Sequence, residues 1–140
     1  MNRILTAGAA ALLCIAASAA TAQSYPTPEK LLVTKSDTVG APIRYPAGTP
    51  QVASYLLTMV PGQTTGWHRH DVPLYARMLG GAITVDYGNG VTKTYRAGDT
   101  FMEAMDIWHD GKVISDVPAK ILVVFIGSDA AKNTVMKPKK

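Results

Sequence analysis

The three histidines of this chain are its strongest candidates for chemistry, because all of them lie in two short segments. Gly66–His70 reads GWHRH and Asp106–Asp110 reads DIWHD, and these two segments also contain both tryptophans. On a strand, where side chains alternate between two faces, His68 and His70 would point to the same side with Cα atoms about 7 Å apart. Two neutral imidazoles on one face can bind a divalent metal ion together.

His-x-His alone is a weak motif, because two rim histidines that make ordinary hydrogen bonds show the same spacing. His109 strengthens the metal interpretation, since it follows the Gly98-Asp99 turn and a predicted strand from Thr100 to Ala104. A neighbouring antiparallel strand could bring this third imidazole to the same interior point. Each tryptophan, by alternation, faces away from its histidine and is a packing residue.

Short runs of β-branched, aromatic and aliphatic residues recur from Leu31 onward, separated by Gly, Pro, Asn and Asp at intervals of about ten residues. This pattern predicts one all-β domain, a sandwich or barrel. Asn89-Gly90 predicts a tight hairpin turn, because both residues tolerate a positive φ. The predicted strands are Leu31–Lys35, Val52–Val60, Gly66–His70, Leu74–Leu79, Ala82–Tyr87, Val91–Tyr95, Thr100–Ala104, Trp108–Ile114 and Lys120–Ile126.

The N-terminus has the pattern of a secretory signal peptide. Met1-Asn2-Arg3 precedes an apolar, Ala-rich run that ends in the small-x-small sequence Ala20-Thr21-Ala22. We expect cleavage after Ala22 and a periplasmic or secreted protein without a membrane segment. Cys14, the only cysteine, lies in this part, so the mature chain would have no disulfide and no thiolate ligand. The predicted divisions are a signal peptide (1–22), an N-terminal arm with an edge strand (23–50), the barrel (51–130) and a basic tail (131–140).

Two longer segments carry a resemblance to a known family. Pro61–Gly81, PGQTTGWHRHDVPLYARMLGG, resembles the first conserved motif of the cupin superfamily, with its two glycines and its His-x-His pair in the matching places. Tyr95–His109, YRAGDTFMEAMDIWH, resembles the second motif, with His109 as its histidine. The resemblance extends over roughly residues 52–127 and implies a small double-stranded β-helix, or jelly-roll, barrel. It also implies a divalent metal ion bound by the three histidines.

Two positions depart from the family pattern. The family's glutamate ligand should fall at Leu74, which cannot bind metal, and its Pro-x-Gly before the histidine reads Ala104-Met105-Asp106. Either the site uses three histidines only, or a carboxylate from elsewhere completes it. Glu103 is the candidate: the family register places it inward, although alternation alone also allows a solvent-facing Glu103. A buried carboxylate would need a metal or a partner such as Arg77.

The residues expected around the metal suggest how it would be used. Three neutral imidazoles leave the charge of the ion uncompensated and two or three positions open, which favours an oxygen anion as ligand. Fe, Mn, Ni and Zn all fit such a site. Tyr75 and Arg77 are predicted as proton donor and anion clamp, with Glu103 as a further catalytic residue. Alternatively, Tyr75 is a core aromatic and Arg77 a surface residue. Other residues predicted nearby are Tyr87, Tyr95 and Met78.

Two classes of function follow from these residues. The first is a metal-dependent enzyme, an oxygenase or an isomerase/lyase, acting on a small oxygenated organic acid. The second is a non-catalytic cupin that binds a small ligand or metal, and a structural protein with vestigial histidines is a third. No nucleic-acid partner is expected, because the 14 basic and 10 acidic residues form no basic stripe and the C-terminal lysines indicate a solvated tail. Cupins frequently pair through their sheets, and the arm could reach a second subunit, so a homodimer is also expected.

Overall fold

The regular structure of residues 24–138 consists of β-strands. A computed structural model describes residues 24–138, so the predicted signal peptide lies outside the described residues. Within that range no helix is long and apolar enough to cross a membrane. The strands are β1 Pro50–Met59, β2 His68–Arg69, β3 Leu74–Gly80, β4 Ala82–Asp86, β5 Thr92–Arg96, β6 Thr100–Met102, β7 Asp110–Val113, β8 Ala119–Ser128 and β9 Val135–Met136.

These strands form two facing antiparallel sheets. One sheet has the order β1-β8-β3-β6. The other has the order β5-β4-β7, and a backbone pair between His68 and His109 joins β2 and its partner β9 to it. Strands that are distant in the chain are therefore neighbours in each sheet, as in a jelly roll. The predicted all-β, double-sheet barrel is confirmed.

Alternation along the strands builds the core between the sheets. In β3, Leu74, Ala76 and Met78 are buried, and the residues between them are half-buried. In β4, Ile83 and Val85 are buried from the opposite sheet. The central strand β8 follows the same alternation. Because both sheets turn an apolar face inward, removal of these side chains from water favours closure of the barrel.

The N-terminal arm runs along β6, which is one edge of the four-stranded sheet. The Thr38 amide donates to the Met102 carbonyl (2.8 Å), and the Thr100 hydroxyl donates to the Leu31 carbonyl (2.9 Å). Asp37 is buried, and its Oδ1 accepts hydrogen bonds from the amides of Val39 (3.0 Å) and Ala41 (2.9 Å) in the same turn. The arm thus covers backbone groups that an open edge would present to another chain.

Two of the predicted local structures differ from the observed ones. Leu31–Lys35 forms no strand, because this part of the arm makes isolated hydrogen bonds rather than a ladder. Conversely, β9 lies in the segment 131–140, which was predicted as a basic tail without a strand. It pairs with β2, and the Lys137 amide donates to the Trp67 carbonyl (2.9 Å), although Lys137 itself is exposed.

The hairpin turn between β4 and β5 has the backbone conformation that Asn89-Gly90 predicts. Asn89 and Gly90 both have a positive φ, 51° and 78°, and the Val91 amide donates to the Gly88 carbonyl at 2.9 Å. An Asn-Gly pair adopts this conformation at low cost, so the turn fixes the register of β4 against β5. This register places buried Tyr95 opposite Ile83 in the core.

Candidate metal centre

His68 and His109 are directly opposed in two neighbouring antiparallel segments. The His68 amide donates to the His109 carbonyl (2.9 Å), and the His109 amide donates to the His68 carbonyl (2.8 Å). Opposed residues project their side chains to the same face of a sheet. His70 follows His68 by two positions, so its ring reaches that face as well.

The three imidazole rings converge at one end of the barrel interior. Their centroids are 5.0 Å apart for His68 and His70, 4.4 Å for His68 and His109, and 5.0 Å for His70 and His109. One ring nitrogen from each residue lies within 4.8 Å of the other two. The structure thus brings together the three histidines named from the sequence. Among residues 24–138, no carboxylate joins this group at that distance.

Each ring is held by a hydrogen bond at Nδ1. In His68 and His109, Nδ1 lies 2.7 and 2.8 Å from the carbonyl oxygen of the residue two positions earlier. In His70, Nδ1 lies 2.8 Å from the carbonyl oxygen of Asn133. A carbonyl can only accept, so each Nδ1 carries the proton and each Nε2 presents a lone pair. This is the arrangement of metal-binding histidines, whose second nitrogen donates to a neighbouring acceptor.

Burial keeps the three rings neutral. Desolvation is the largest effect in each case, and it lowers the pKa of His70 to about 3. It also lowers the pKa of His68 and of His109 from the ordinary value of 6.5. The carbonyl acceptors at Nδ1 raise the pKa but do not offset the burial. At neutral pH the rings are therefore unprotonated at Nε2, which is the form that binds a metal.

Glu103 faces the interior, as the family register implied. Its Oε1 accepts hydrogen bonds from the Tyr87 hydroxyl (2.7 Å) and from the Ala104 amide (2.8 Å). Burial raises the pKa of this carboxyl, and the Tyr87 hydroxyl acts against that rise. The partner of the Glu103 carboxyl is therefore a hydrogen-bonding tyrosine hydroxyl rather than the cation of Arg77, which corrects the pairing suggested above. Glu103 also stays outside the group of three converging nitrogens.

A chain of hydroxyl groups continues from Glu103 to the N-terminal arm. The Tyr87 and Tyr95 hydroxyl oxygens are 3.1 Å apart, and the Tyr95 hydroxyl lies 2.5 Å from Oγ1 of Thr38. Burial raises the pKa of Tyr87 and of Tyr95, so both hydroxyls remain protonated at neutral pH. The arm therefore helps to fix the hydrogen bond that Glu103 accepts.

A cavity of about 450 Å³ is lined by the three histidines and by Glu103. No lysine or arginine of residues 24–138 lines it, so its polar groups are the histidines, Glu103, Gln63 and a few threonines. The cavity can hold a small organic molecule next to the imidazole nitrogens. Its apolar walls come from both sheets and include Leu74, Ile83, Val85, Phe101, Val123 and Phe125.

Tyr75 and Arg77 lie on the other side of β3. Their neighbours Leu74 and Ala76 line the cavity, and alternation turns Tyr75 and Arg77 away from it, where both are half-buried. The prediction that these two residues flank the metal as proton donor and anion clamp is therefore corrected. Met78 points inward and is fully buried in the core, as expected of a packing residue.

Asn133 and Thr134 are parts of the site that the sequence did not indicate. Besides the bond to the Asn133 carbonyl, His70 Nδ1 lies 3.3 Å from Oγ1 of Thr134. Both residues lie in the C-terminal segment, where Thr134 and Met136 also line the cavity. A backbone carbonyl has no residue-type signature, so only the pairing of β9 with β2 reveals this contact.

The donor set fits a divalent metal ion. Three neutral Nε2 atoms face one point, and Nε2 of His109 is buried without a hydrogen-bond partner. An unsatisfied buried acceptor costs about 1–3 kcal/mol, and a bound ion would remove that cost. Imidazole donors suit iron, nickel, copper and zinc, so the residues indicate a transition metal without selecting one.

The profile of the cupin domain family Cupin_2 matches residues 55–125, a range that contains the three histidines and Glu103. No functionally curated protein matches this chain at a significant level. The matched range ends before β9, so the C-terminal contacts to His70 lie outside it.

Several solved structures have a similar fold. The DMSP lyase DddQ from Ruegeria pomeroyi DSS-3 has a TM-score of 0.52 and 21% identity, covering 61% of this chain and 43% of the lyase. A recombinant oxalate oxidase in complex with glycolate has a TM-score of 0.52 and 22% identity, covering 61% of this chain and 45% of the oxidase. This chain therefore spans less than half of the length of both enzymes.

A double-stranded beta-helix protein has more nearly the same length. This uncharacterized conserved protein from Klebsiella pneumoniae subsp. pneumoniae MGH 78578 has a TM-score of 0.53 and 19% identity, covering 69% of this chain and 91% of its own. At identities this low, these likenesses show the fold alone.

Proposed function

Since this chain belongs to the cupin family, we propose that it is a metal-dependent enzyme, an oxygenase or an isomerase/lyase, acting on a small oxygenated organic acid. The observation that carries the proposal is the convergence of three neutral imidazole nitrogens in a cavity that also contains a buried carboxylate. Catalysis needs both the metal-binding histidines and the carboxylate, because a metal site alone is also found in proteins that only bind a ligand.

His68, His70 and His109 would hold the metal ion through Nε2. When bound, the ion supplies Lewis acidity or activates oxygen. The three donors are neutral, so they leave the charge of the ion available for an anionic ligand. No lysine or arginine within residues 24–138 lines the cavity, so the positive partner of a substrate carboxylate would be the metal ion held by the three histidines.

Glu103 is the proposed proton-transfer group. Its Oε1 accepts hydrogen bonds from the Tyr87 hydroxyl and the Ala104 amide, whereas Oε2 accepts none from residues 24–138 and is available to a substrate. Burial raises the pKa of Glu103, which improves its ability to accept a proton near neutral pH. Tyr87 would keep the carboxylate in place and stabilise its ionised form.

The cavity limits the substrate to a small molecule. Its volume of about 450 Å³ is at the lower end of the range for ligand sites, and most of its walls are apolar. The oxalate oxidase structure, which contains glycolate, and the DMSP lyase show that this fold hosts reactions of small organic molecules in other proteins. Their substrates are candidates for a first screen.

The test is a substrate screen with protein loaded separately with Fe, Mn, Ni or Zn, with and without oxygen. Hydroxy-, keto- and dicarboxylic acids of two to five carbons would be used. We expect conversion by the wild type and a loss of about 10²–10⁴-fold in turnover for Glu103→Gln, with the metal retained. Glu29→Gln is the matched control, because Glu29 is an exposed residue of the arm and is the only other glutamate.

The alternative outcome is equally specific. If metal-loaded wild-type protein binds an acid in calorimetry but converts none, and Glu103→Gln binds the same acid, the protein is a non-catalytic cupin that captures a ligand. In the described part of the chain no side-chain cation lines the cavity, so an acid captured in this way would be bound through the metal alone.

Secretion to the periplasm or the medium is proposed from residues 1–22, whose charged start, apolar run and small-x-small end are those of a cleaved signal. N-terminal sequencing of the protein expressed in its full length should begin near Gln23. A mature protein that begins at Met1 or Asn2 would contradict this proposal.

A homodimer formed through β1 is also proposed. β1 is the free edge of its sheet, is ten residues long and mostly exposed, and has no charged residue in PQVASYLLTM. Long uncharged edges of this kind tend to pair with another strand. Light scattering should show a dimer, and Ser54→Lys should give a monomer; a monomeric wild type at micromolar concentration would contradict the proposal.

A further inference from the structure

The outer sides of the two histidine segments form an aromatic and cationic cluster. Trp67 and Trp108 lie opposite to their neighbouring histidines, and Lys137 places Nζ 5.4 Å from the Trp67 ring and 5.9 Å from the Trp108 ring. The Arg69 guanidinium lies 5.4 Å from the Trp108 ring on the same side. At such distances a cation is attracted to the face of an indole.

Lys137 ends a short C-terminal segment, residues 133–137, which we call the clasp. Three further contacts hold the clasp on the barrel: β9 pairs with β2, the Lys137 amide donates to the Trp67 carbonyl (2.9 Å), and Asn133 packs on Gly127. The last contact is close, because a Cβ at Gly127 would lie 2.7 Å from Oδ1 of Asn133. The clasp is thus anchored at both of its ends.

We propose that the clasp is a positioning element of the metal site, which orients His70 through the Asn133 carbonyl and is held in place by Lys137 against Trp67 and Trp108. This inference rests on the proposed metal-binding function. The clasp would also close one wall of the cavity, since Thr134 and Met136 line it.

His70 depends on the clasp in a way that the other two ligands do not. The acceptors for His68 and His109 lie two positions earlier in the same turn, so they remain in place whatever the C-terminus does. The acceptor for His70 comes from a residue 63 positions later. Release of the clasp would therefore free the tautomer and the orientation of one ligand out of three. Loss of such a partner typically costs 10–100-fold in metal affinity.

The first experiment removes the clasp by ending the chain after Lys132. All eight strands of the barrel itself, β1 to β8, remain in this variant. Circular dichroism should show the β-spectrum of the wild type, and titration with Co²⁺ or Zn²⁺ should show about 10–100-fold weaker binding. The Co²⁺ absorption spectrum should also change, because one imidazole has lost its fixed orientation.

The second experiment changes only the anchor. Lys137→Ala should weaken Co²⁺ binding by about two- to fivefold, the equivalent of one exposed cation–π contact. Lys137→Arg should restore it. Lys132 is exposed and lies directly before the clasp, so Lys132→Ala should bind Co²⁺ as the wild type does. This series remains informative if the shortened chain does not fold.

Tryptophan emission reports the clasp independently of any metal. Trp67 and Trp108 are the only tryptophans of the chain, and both contact Lys137. In metal-free protein, Lys137→Ala and the shortened chain should therefore shift the emission, whereas Lys132→Ala should not. Unchanged emission in both variants would show that the clasp does not rest on the tryptophans.

The outcomes distinguish a failure of the positioning role of the clasp from a failure of the proposed metal binding. If the shortened chain folds and binds Co²⁺ as tightly as the wild type, or if Lys137→Ala binds with unchanged affinity, the positioning role is wrong and metal binding stands. If the wild type binds no metal, the proposed function fails and the positioning role fails with it, whatever the emission data show.

Discussion

The two faces of the segments that contain the histidines are built for different purposes. The inner face presents three buried or half-buried imidazoles with lowered pKa values. The outer face presents Trp67, Trp108 and the cations of Arg69 and Lys137, and Trp67 remains 36% exposed. Residues that are adjacent in the sequence thus belong to a buried group of neutral imidazoles and to a partly exposed cluster of indoles and cations.

This difference shows how a strand can separate two tasks at one-residue spacing. A Trp-His dipeptide on a strand sends one ring to each side of the sheet. The inner ring keeps its lone pair for a ligand, and the outer ring offers its face to a cation. The repeated Trp-His pair therefore accounts for both the candidate metal site and the anchoring of the clasp.

Because His70 on the inner face is buried, the metal-free protein should have a smaller free energy of unfolding at acid pH. Burial lowers the pKa of His70 to about 3, and the neighbouring His109 and His68 act in the same direction. Below pH 6.5, His70 is therefore protonated in the unfolded chain but stays neutral in the folded chain. The stability from neutral His70 is present above pH 6.5 and is lost as the pH falls toward 3. Urea unfolding with chelator should show a loss of about 2 kcal/mol from this group between pH 7.5 and 5.

The matched control for the acid effect is His70→Gln, which removes the titrating ring. Its unfolding free energy should fall less steeply over the same pH range than that of the wild type. Equal slopes in the two proteins would mean that His70 is solvated and able to take up a proton in the folded state, contrary to a closed inner face.

Removal of the buried charge should stabilise the metal-free fold. The pKa of Glu103 is raised by burial, so its contribution to stability is largest below its ordinary pKa of 4.5 and is lost as the pH rises. Gln can keep an oxygen at the Oε1 position to accept from Tyr87 and Ala104 without the charge. At pH 7, Glu103→Gln should therefore be more stable by about 1 kcal/mol, and the gain should disappear at pH 4. Thermal unfolding at both pH values measures this difference.

Substitutions on the outer side of β3 should have the smallest effects on stability and on turnover. Tyr75 lies away from the cavity, so Tyr75→Phe should change the unfolding free energy by less than about 0.5 kcal/mol and turnover by less than about twofold. The contrast with Glu103→Gln sharpens the inside-outside division. A tenfold loss of turnover in Tyr75→Phe would restore this residue to the site.

The sequence was sufficient for the parts of the site that depend on local spacing. The His-x-His spacing predicts two candidate metal ligands on one face, and the second motif indicates His109 as the third. Alternation could also have assigned Tyr75 and Arg77 to the outside, because they alternate in β3 with the apolar residues Leu74, Ala76 and Met78. Position in a neighbouring strand suggests that these two residues lie near the metal, but that criterion ignores which face of the strand each side chain occupies.

Other parts of the site depend on contacts between distant segments. Alternation could not place Glu103, because Phe101 to Met105 are all buried: the barrel covers one side and the N-terminal arm the other. Neither the Tyr87 hydroxyl as its partner nor the Asn133 carbonyl as the acceptor for His70 follows from residue type. Strand β9, only two residues long, also lacked any periodicity to predict it.

The most direct test of the account is the metal content of two variants at adjacent positions. Wild-type protein, His109→Ala and Trp108→Phe would each be saturated with Zn²⁺ or Co²⁺, desalted and subjected to elemental analysis. Trp108→Phe keeps an aromatic face for Lys137. We predict about one metal ion per chain in the wild type and in Trp108→Phe, and a small fraction of that in His109→Ala, because only residue 109 faces the other two imidazoles. Equal metal content in His109→Ala and the wild type would contradict a three-histidine metal centre.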